Sequence, residues 1–245
     1  SGADGIFMVD SQFAPLSQKI AAAIHQISDK PIRFMVNTHV HGDHTGGNEN
    51  FAKMGVTIFS RDELRYRLAH PSPGANGAPG TPAPADALPV VTYEGPVTFH
   101  LDGEEVQLIP IHRAHTDGDT LVHFVHNDVL MTGDYFRSIQ FPNIDRTNGG
   151  SLNGMIEGLG ITIGMAGPHT KIIPGHGPTV DRAAVIAHRD MLLAVRDKVN
   201  ALVQQGKTVE EVIAAKPTSD YDNIPNASTT SERFIRQLYA ELKTN

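Results

Sequence analysis

Asn37-Thr38-His39-Val40-His41-Gly42-Asp43-His44-Thr45-Gly46-Gly47 sets three imidazoles and a carboxylate within six residues, directly after the apolar run Phe34-Met35-Val36. The run reads as a buried strand, but the donors cannot be core packing, because burying them unsatisfied costs several kcal/mol or more. A metal satisfies them. Neutral imidazole and carboxylate are the nitrogen and oxygen ligands of zinc and its neighbours. In extended backbone His39 and His41 point the same way, and a turn at Gly42 brings Asp43 and His44 around toward a second ion.

Three further elements repeat this placement. Ala114-His115-Thr116-Asp117-Gly118-Asp119-Thr120 follows the run Val106 to Ile111, Gly133-Asp134-Tyr135 ends the run Leu130-Met131-Thr132, and Pro174-Gly175-His176-Gly177 ends Ile172-Ile173. Each sets one candidate ligand just past the carboxyl end of an apolar run, where loops gather at one edge of a sheet. His112 is the nearest rival to His115. The other histidines, His25, His70, His100, His123, His126, His169 and His188, read as surface or hydrogen-bonded positions.

Together the four elements resemble the signature of the metallo-β-lactamase-fold superfamily: a His-x-His-x-Asp-His run, a single His, a bridging residue and a last His. The resemblance runs from about Gly5 to Gly177. It implies an α/β fold, an αββα four-layer sandwich, and a centre of two zinc ions, with iron or manganese as other metals. His39, His41 and His115 would hold the first ion, Asp43, His44 and His176 the second, and Asp134 would bridge them. The implied activity is hydrolysis of a small ester, lactone, thioester or β-lactam by hydroxide held between the zinc ions. Asp43 is then the catalytic residue that orients the nucleophile and moves a proton to the leaving group. Thr38, Asp117 and Asp119 are candidates for orienting the ligand imidazoles.

An aspartate bridge resembles the glyoxalase II, lactonase and phosphodiesterase branches, whereas true β-lactamases generally carry Cys or Ser there. The short C-terminal helices lack the basic cluster that glutathione binding needs. A β-lactamase proper and a mononuclear-iron, sulfur dioxygenase-like oxidoreductase are the alternative readings. The family usually places one or two strands before the one matching Ile6 to Val9, so N-terminal strands are expected to be missing. Substrate contacts are expected from Tyr135, Phe136 and Asn148, with Arg137 and Phe141 nearby, and from the loop His70 to Pro89.

Outward from these motifs the chain reads as one domain over residues 1–245 with C-terminal helices over 181–245. Ser1 to Gly5 reads as a hairpin turn, Ile6 to Val9 as a strand, and Leu16, Ile20, Ala23, Ile24 and Ile27 as a helix. Val56 to Phe59 is a strand and Asp62 to Leu68 a short helix. The Pro-, Gly- and Ala-rich segment His70 to Pro89 is a long loop. Strands follow at Val97 to Leu101, Val106 to Ile111, Leu121 to Val125, Val129 to Thr132 and Lys171 to Ile173, with turns at Asp102-Gly103 and Asn127-Asp128. Helices are expected at Ser151 to Met165, Asp181 to Gln205, Val209 to Ala215 and Ser231 to Lys243.

Composition narrows the partners. A formal charge of −7 without a basic run excludes a broad nucleic-acid contact, and no stretch approaches the roughly 20 apolar residues of a membrane span. A small-molecule substrate remains, and the oligomeric state is open. The absence of cysteine leaves only nitrogen and oxygen ligands. It suits a periplasmic or secreted bacterial protein slightly better than a cytoplasmic one.

Overall fold

The computed structural model describes residues 1–73 and 77–243, so residues 74–76 of the expected His70 to Pro89 loop lie outside the described residues. The chain divides into two compact units, Ser1–Ile111 with Asp117–Asn127, and His112–Thr116 with Asp128–Asn245.

The first unit opens on the expected turn, Gly2 and Gly5 exchanging N–H···O bonds of 3.1 and 3.2 Å. Its elements are β1 (Ile6–Val9), α1 (Ser17–His25), β2 (Ile32–Val36), α2 (Gly42–Thr45), α3 (Asn48–Lys53), β3 (Thr57–Arg61), α4 (Asp62–Ala69), β4 (Val91–Tyr93), β5 (Val97–Leu101), β6 (Glu104–Ile111) and β7 (Asp119–Phe124). Strands β1 to β4 form a parallel sheet in chain order. Successive side chains of a strand face opposite sides, and the sequence uses both. Met8, Met35 and Ile58 face Ile20 and Ala21 of α1 and Phe51 and Ala52 of α3. Phe7, Phe34 and Phe59 face the other way and pack edge-on or tilted against Phe99 of β5, with ring centroids 4.8 to 5.5 Å apart. Within this unit the order of layers is therefore helix, sheet, sheet. Strands β5, β6 and β7 run antiparallel, and the turn between β5 and β6 takes Asp102 and Gly103 to φ of 55° and 74°, as a tight hairpin requires.

The second unit contains β8 (Val129–Arg137), α5 (Leu152–Met165), β9 (Lys171–His176), α6 (Arg182–Gln204), α7 (Val209–Ala214) and α8 (Ala227–Leu242). β8 and β9 pair in parallel across α5, the crossover such a pair needs. The starts of α5, α6 and α7 are capped by side chains: Ser151 for α5, Asp181 for α6, and a reciprocal Thr208–Glu211 box for α7. Helix α6 buries Val185, Leu192, Val195 and Val199, the stripe its sequence displays.

The expected α/β class with two sheets and accompanying helices is what the chain adopts. The sequence reading missed β4, α2 and α3, each too short to show a period. β8 is also longer than expected. The reading ended it at Thr132, but its ladder continues past irregular register to Arg137 opposite His176, so Asp134 lies inside a strand and not beyond one. Among the described residues between His70 and Pro89 the only regular turn is the 3-10 turn Ala85–Ala87. Among the described residues no helix is long and apolar enough to cross a membrane.

Burial pushes His188 of α6 down to about 4 from its ordinary 6.5. The folded ring is neutral, while the unfolded chain takes up a proton below about 6.5, so stability is lost as pH falls from about 6.5 toward 4. His188→Phe keeps a ring against Phe136 and removes the titration. Urea melts at pH 7 and pH 4.5 are expected to show the variant losing about 2 kcal/mol less than the parent on acidification.

Candidate metal centre

In the first unit the donors leave the end of β2 on a segment tied down by buried amides. Asn37 donates to the His44 carbonyl at 3.0 Å and to Asn48 Oδ1 at 3.1 Å, and Asn48 returns a bond to Asn37 Oδ1 at 2.8 Å. The Ser11 hydroxyl donates to Asn48 Oδ1 at 2.8 Å and accepts from the Gly47 N–H at 3.1 Å. Helix α2 is a single turn whose first bonds run from the His44 and Thr45 N–H groups to the His41 carbonyl. A Cβ at Gly47 would collide with the Ser11 carbonyl, so a residue without a side chain lets the turn close on the strand end. The Thr38 carbonyl accepts from the Thr120 N–H of β7 at 2.9 Å.

These restraints bring His39, His41, Asp43 and His44 together. The His39 ring centroid lies 4.9 Å from that of His41 and 4.0 Å from that of His44, and Asp43 Oδ2 lies 3.6 Å from His44 Nε2.

Asp10, which the sequence reading missed, organises the group. Its Oδ2 lies 2.7 Å from His44 Nδ1 and accepts from the Thr38 hydroxyl at 2.7 Å, while its Oδ1 accepts from the Thr38 N–H at 2.7 Å. A carboxylate on Nδ1 fixes the tautomer that leaves the Nε2 lone pair for a ligand bond. Thr38 thus orients imidazole as expected, 3.2 Å from His39 Nδ1. Asp117 is different: it pairs with Arg67, at 2.6 Å from Nη2 and 3.3 Å from Nε. Asp119 is buried in β7. In the sequence Asp10 shows only as an acid after an apolar run; the structure places it at the end of β1 with φ of 61°, a left-handed position that Asp tolerates better than most residues.

The second unit builds its own set. His112 is exposed, whereas His115 is fully buried. Its Nδ1 lies 2.6 Å from the Asn143 carbonyl, and its own carbonyl accepts from the Asp145 N–H at 2.9 Å. A ring nitrogen against a carbonyl must be the protonated one, so Nε2 again carries the lone pair. Asp134 Oδ2 lies 3.7 Å from His115 Nε2 and 3.3 Å from His176 Nε2. It also accepts a bond from Arg137 Nη2. A Cβ at Gly175 would collide with Asp134 Oδ1, and one at Gly150 with the His115 carbonyl.

The expected substrate contacts fare differently. Tyr135 and Phe136 are each 1% exposed. The Tyr135 hydroxyl pairs with Thr162 at 2.7 Å, and the Phe136 ring sits edge-on to His188 at 5.0 Å. Both pack inside the second unit, and Phe136 also lines a cavity there. Asn148 bonds Asp145 through its side chain at 2.7 Å, closing a local turn.

Each set fits metal chemistry on its own terms, offering neutral imidazole with Nδ1 committed elsewhere and carboxylate oxygen beside it. The family model described as Metallo-beta-lactamase superfamily matches residues 2–176. A metallo-beta-lactamase from Pontibacter korlensis is similar with a TM-score of 0.66 and 20% identity, covering 79% of this chain and 84% of that one. The stereoselective inverting sec-alkylsulfatase Pisa1 from Pseudomonas sp. gives a TM-score of 0.72 at 18% identity, covering 98% of this chain and 46% of that one. This chain thus spans less than half of the alkylsulfatase. The DIM-1 metallo-beta-lactamase gives 0.62 at 18% identity, over 78% of this chain and 83% of that one. At these identities the likeness is one of fold.

Asp10→Ala removes the partner of His44 Nδ1 without touching a donor atom. Competition against a chelator is expected to show metal affinity reduced about 10- to 100-fold with an unchanged far-ultraviolet dichroism spectrum. Affinity equal to that of the parent would refute the role given to Asp10.

Proposed function

This chain belongs to the metallo-beta-lactamase superfamily, and from that premise we propose that it is a dinuclear zinc hydrolase of small esters, lactones or thioesters. The observation that carries the reading is the commitment of Nδ1 in both units, His44 to Asp10 and His115 to the Asn143 carbonyl. Such commitment is spent to hold imidazoles as ligands. On this reading His39, His41 and His115 are assigned to one ion and Asp43, His44 and His176 to the other, with Asp134 shared.

When bound, divalent ions supply water of lowered pKa and an electrophile for the scissile carbonyl. The chain's own groups do the rest. Asp43, partly exposed and beside His44, orients the attacking water and carries its proton to the leaving oxygen. Arg137 fixes the direction of the Asp134 carboxylate through its Nη2 bond. Asp10 and Thr38 keep the His44 ring from rotating.

An aspartate bridge offers hard oxygen where a thiolate would be softer, which favours activated carbonyls over amides. Lactones and aryl esters are therefore expected to be cleaved faster than nitrocefin, with all activity lost on chelation. A secondary alkyl sulfate belongs in the same panel, given the fold shared with the alkylsulfatase. Nitrocefin turning over faster than every ester and lactone would reverse the ordering, and one iron per chain with oxygen consumption would favour an oxidoreductase.

The metal count has its own check. Elemental analysis of loaded protein is expected to give close to two ions per chain. Asp134→Ala is expected to weaken both, and His115→Ala chiefly one, in cobalt titrations. Loss of the same single ion in both variants would sink the bridging role.

A further inference from the structure

Within the second unit the end of β8, the start of α6 and the segment 221–224 enclose a cavity of about 320 Å³, within the lower range of small-ligand pockets. Its wall area is mainly apolar, from Phe136, Val180 and Met191 among others, while Arg137, Gln140, His188 and Asn223 bring polar groups. Neither Arg137 nor His188 brings an uncompensated charge. Arg137 spends Nη2 on Asp134, and burial keeps the His188 ring neutral. Among the described residues the buried Arg137 Nε and His188 Nε2 have no hydrogen-bond partner. A charged occupant would have to give up its hydration for walls that are mostly apolar and hold no unpaired charge. A neutral, largely apolar one loses little.

The position of the cavity says which part of a molecule it takes. Arg137 is at once a wall of the cavity and a partner of Asp134. Ser138, the next wall residue, donates its N–H to the His176 carbonyl at 3.0 Å. Two consecutive wall residues therefore touch two of the proposed metal donors, inside one unit. We propose that this cavity seats the alkyl chain of a neutral ester or lactone whose reacting carbonyl lies on the Asp134 side, a substrate assignment that rests on the hydrolase reading above. Selectivity for chain length is then set by Ala184, Ala187 and Met191, and the cavity discriminates against substrates bearing a charge on that chain.

The test separates binding from turnover. Titration calorimetry of the purified, metal-loaded protein with propanamide, butanamide, pentanamide and hexanamide, neutral amides that carry the chain on the acyl side and are not turned over on the timescale of a titration, reads the cavity directly. Affinity is expected to rise up to about fourfold per added methylene, equivalent to about 0.8 kcal/mol each, until the cavity is full. Ala184→Leu fills the cavity from a helical position that accepts leucine and is expected to abolish that rise. Ala187→Leu, on the exposed flank of the same wall, is the second variant should the first fold poorly. Affinity that ignores chain length, or a rise unchanged in both leucine variants, overturns the cavity as a binding site. In parallel, KM for para-nitrophenyl esters from acetate to hexanoate is expected to fall with length in the parent and stay flat in the leucine variants, with metal content unchanged. If amide binding responds to the variants while ester KM does not, the cavity binds alkyl chains but not those of the substrate, and the proposal is overturned. Loaded protein that cleaves no ester or lactone overturns the hydrolase reading instead, a result the amide titrations leave legible.

Discussion

Asp10 carries the constraint on which the first unit's donors depend. Rings set 4.0 to 4.9 Å apart at centroid are useful as ligands only if each presents a chosen nitrogen, and an imidazole left to itself rotates and exchanges tautomers. One carboxylate prevents this by engaging His44 Nδ1, the Thr38 hydroxyl and the Thr38 N–H together. It sits where β1 ends, in left-handed backbone, and the same turn delivers Ser11 to the amide network of Asn37 and Asn48. The second unit solves the equivalent problem for His115 with a backbone carbonyl. Backbone cannot be lost to mutation, so this half of the arrangement is the less vulnerable.

Close approach is the other recurring device. Gly47 against Ser11, Gly150 against His115 and Gly175 against Asp134 are positions where any Cβ would collide. At each of them the missing side chain lets a strand end or a loop reach the donor it supports. The phenylalanine face and the methionine and isoleucine face of β1 to β3 serve the same end at longer range, fixing those strands between helices on one side and Phe99 on the other. A ligand group at a strand end is only as well placed as the strand.

The donors were legible because their chemistry is conspicuous. Three imidazoles and a carboxylate in six residues have no reading as core, whatever surrounds them. The long periodic helix α6 and the β5–β6 turn were legible for a similar reason, since burial stripe and turn chemistry are local. Asp10 was not, because a lone aspartate after an apolar run looks like any strand end. Its partners at Thr38 and His44 are 28 and 34 residues away. Tyr135 and Phe136 stand out in the sequence because aromatic residues beside a donor look like substrate contacts. Nothing local reveals that Thr162 and His188 are waiting for them.

Sequence alone determined the candidate metal donors, the order of most strands and helices, and the exclusion of cysteine chemistry. All of these follow from residue type and short-range period. Tertiary structure decided the rest: that β8 runs on to Arg137, that Arg137 serves Asp134, that Asp117 belongs to Arg67, and which nitrogen of His44 and His115 is held by an oxygen acceptor. A hydrogen bond between residues far apart in the chain has no periodicity and no composition, so only the folded backbone could have written it.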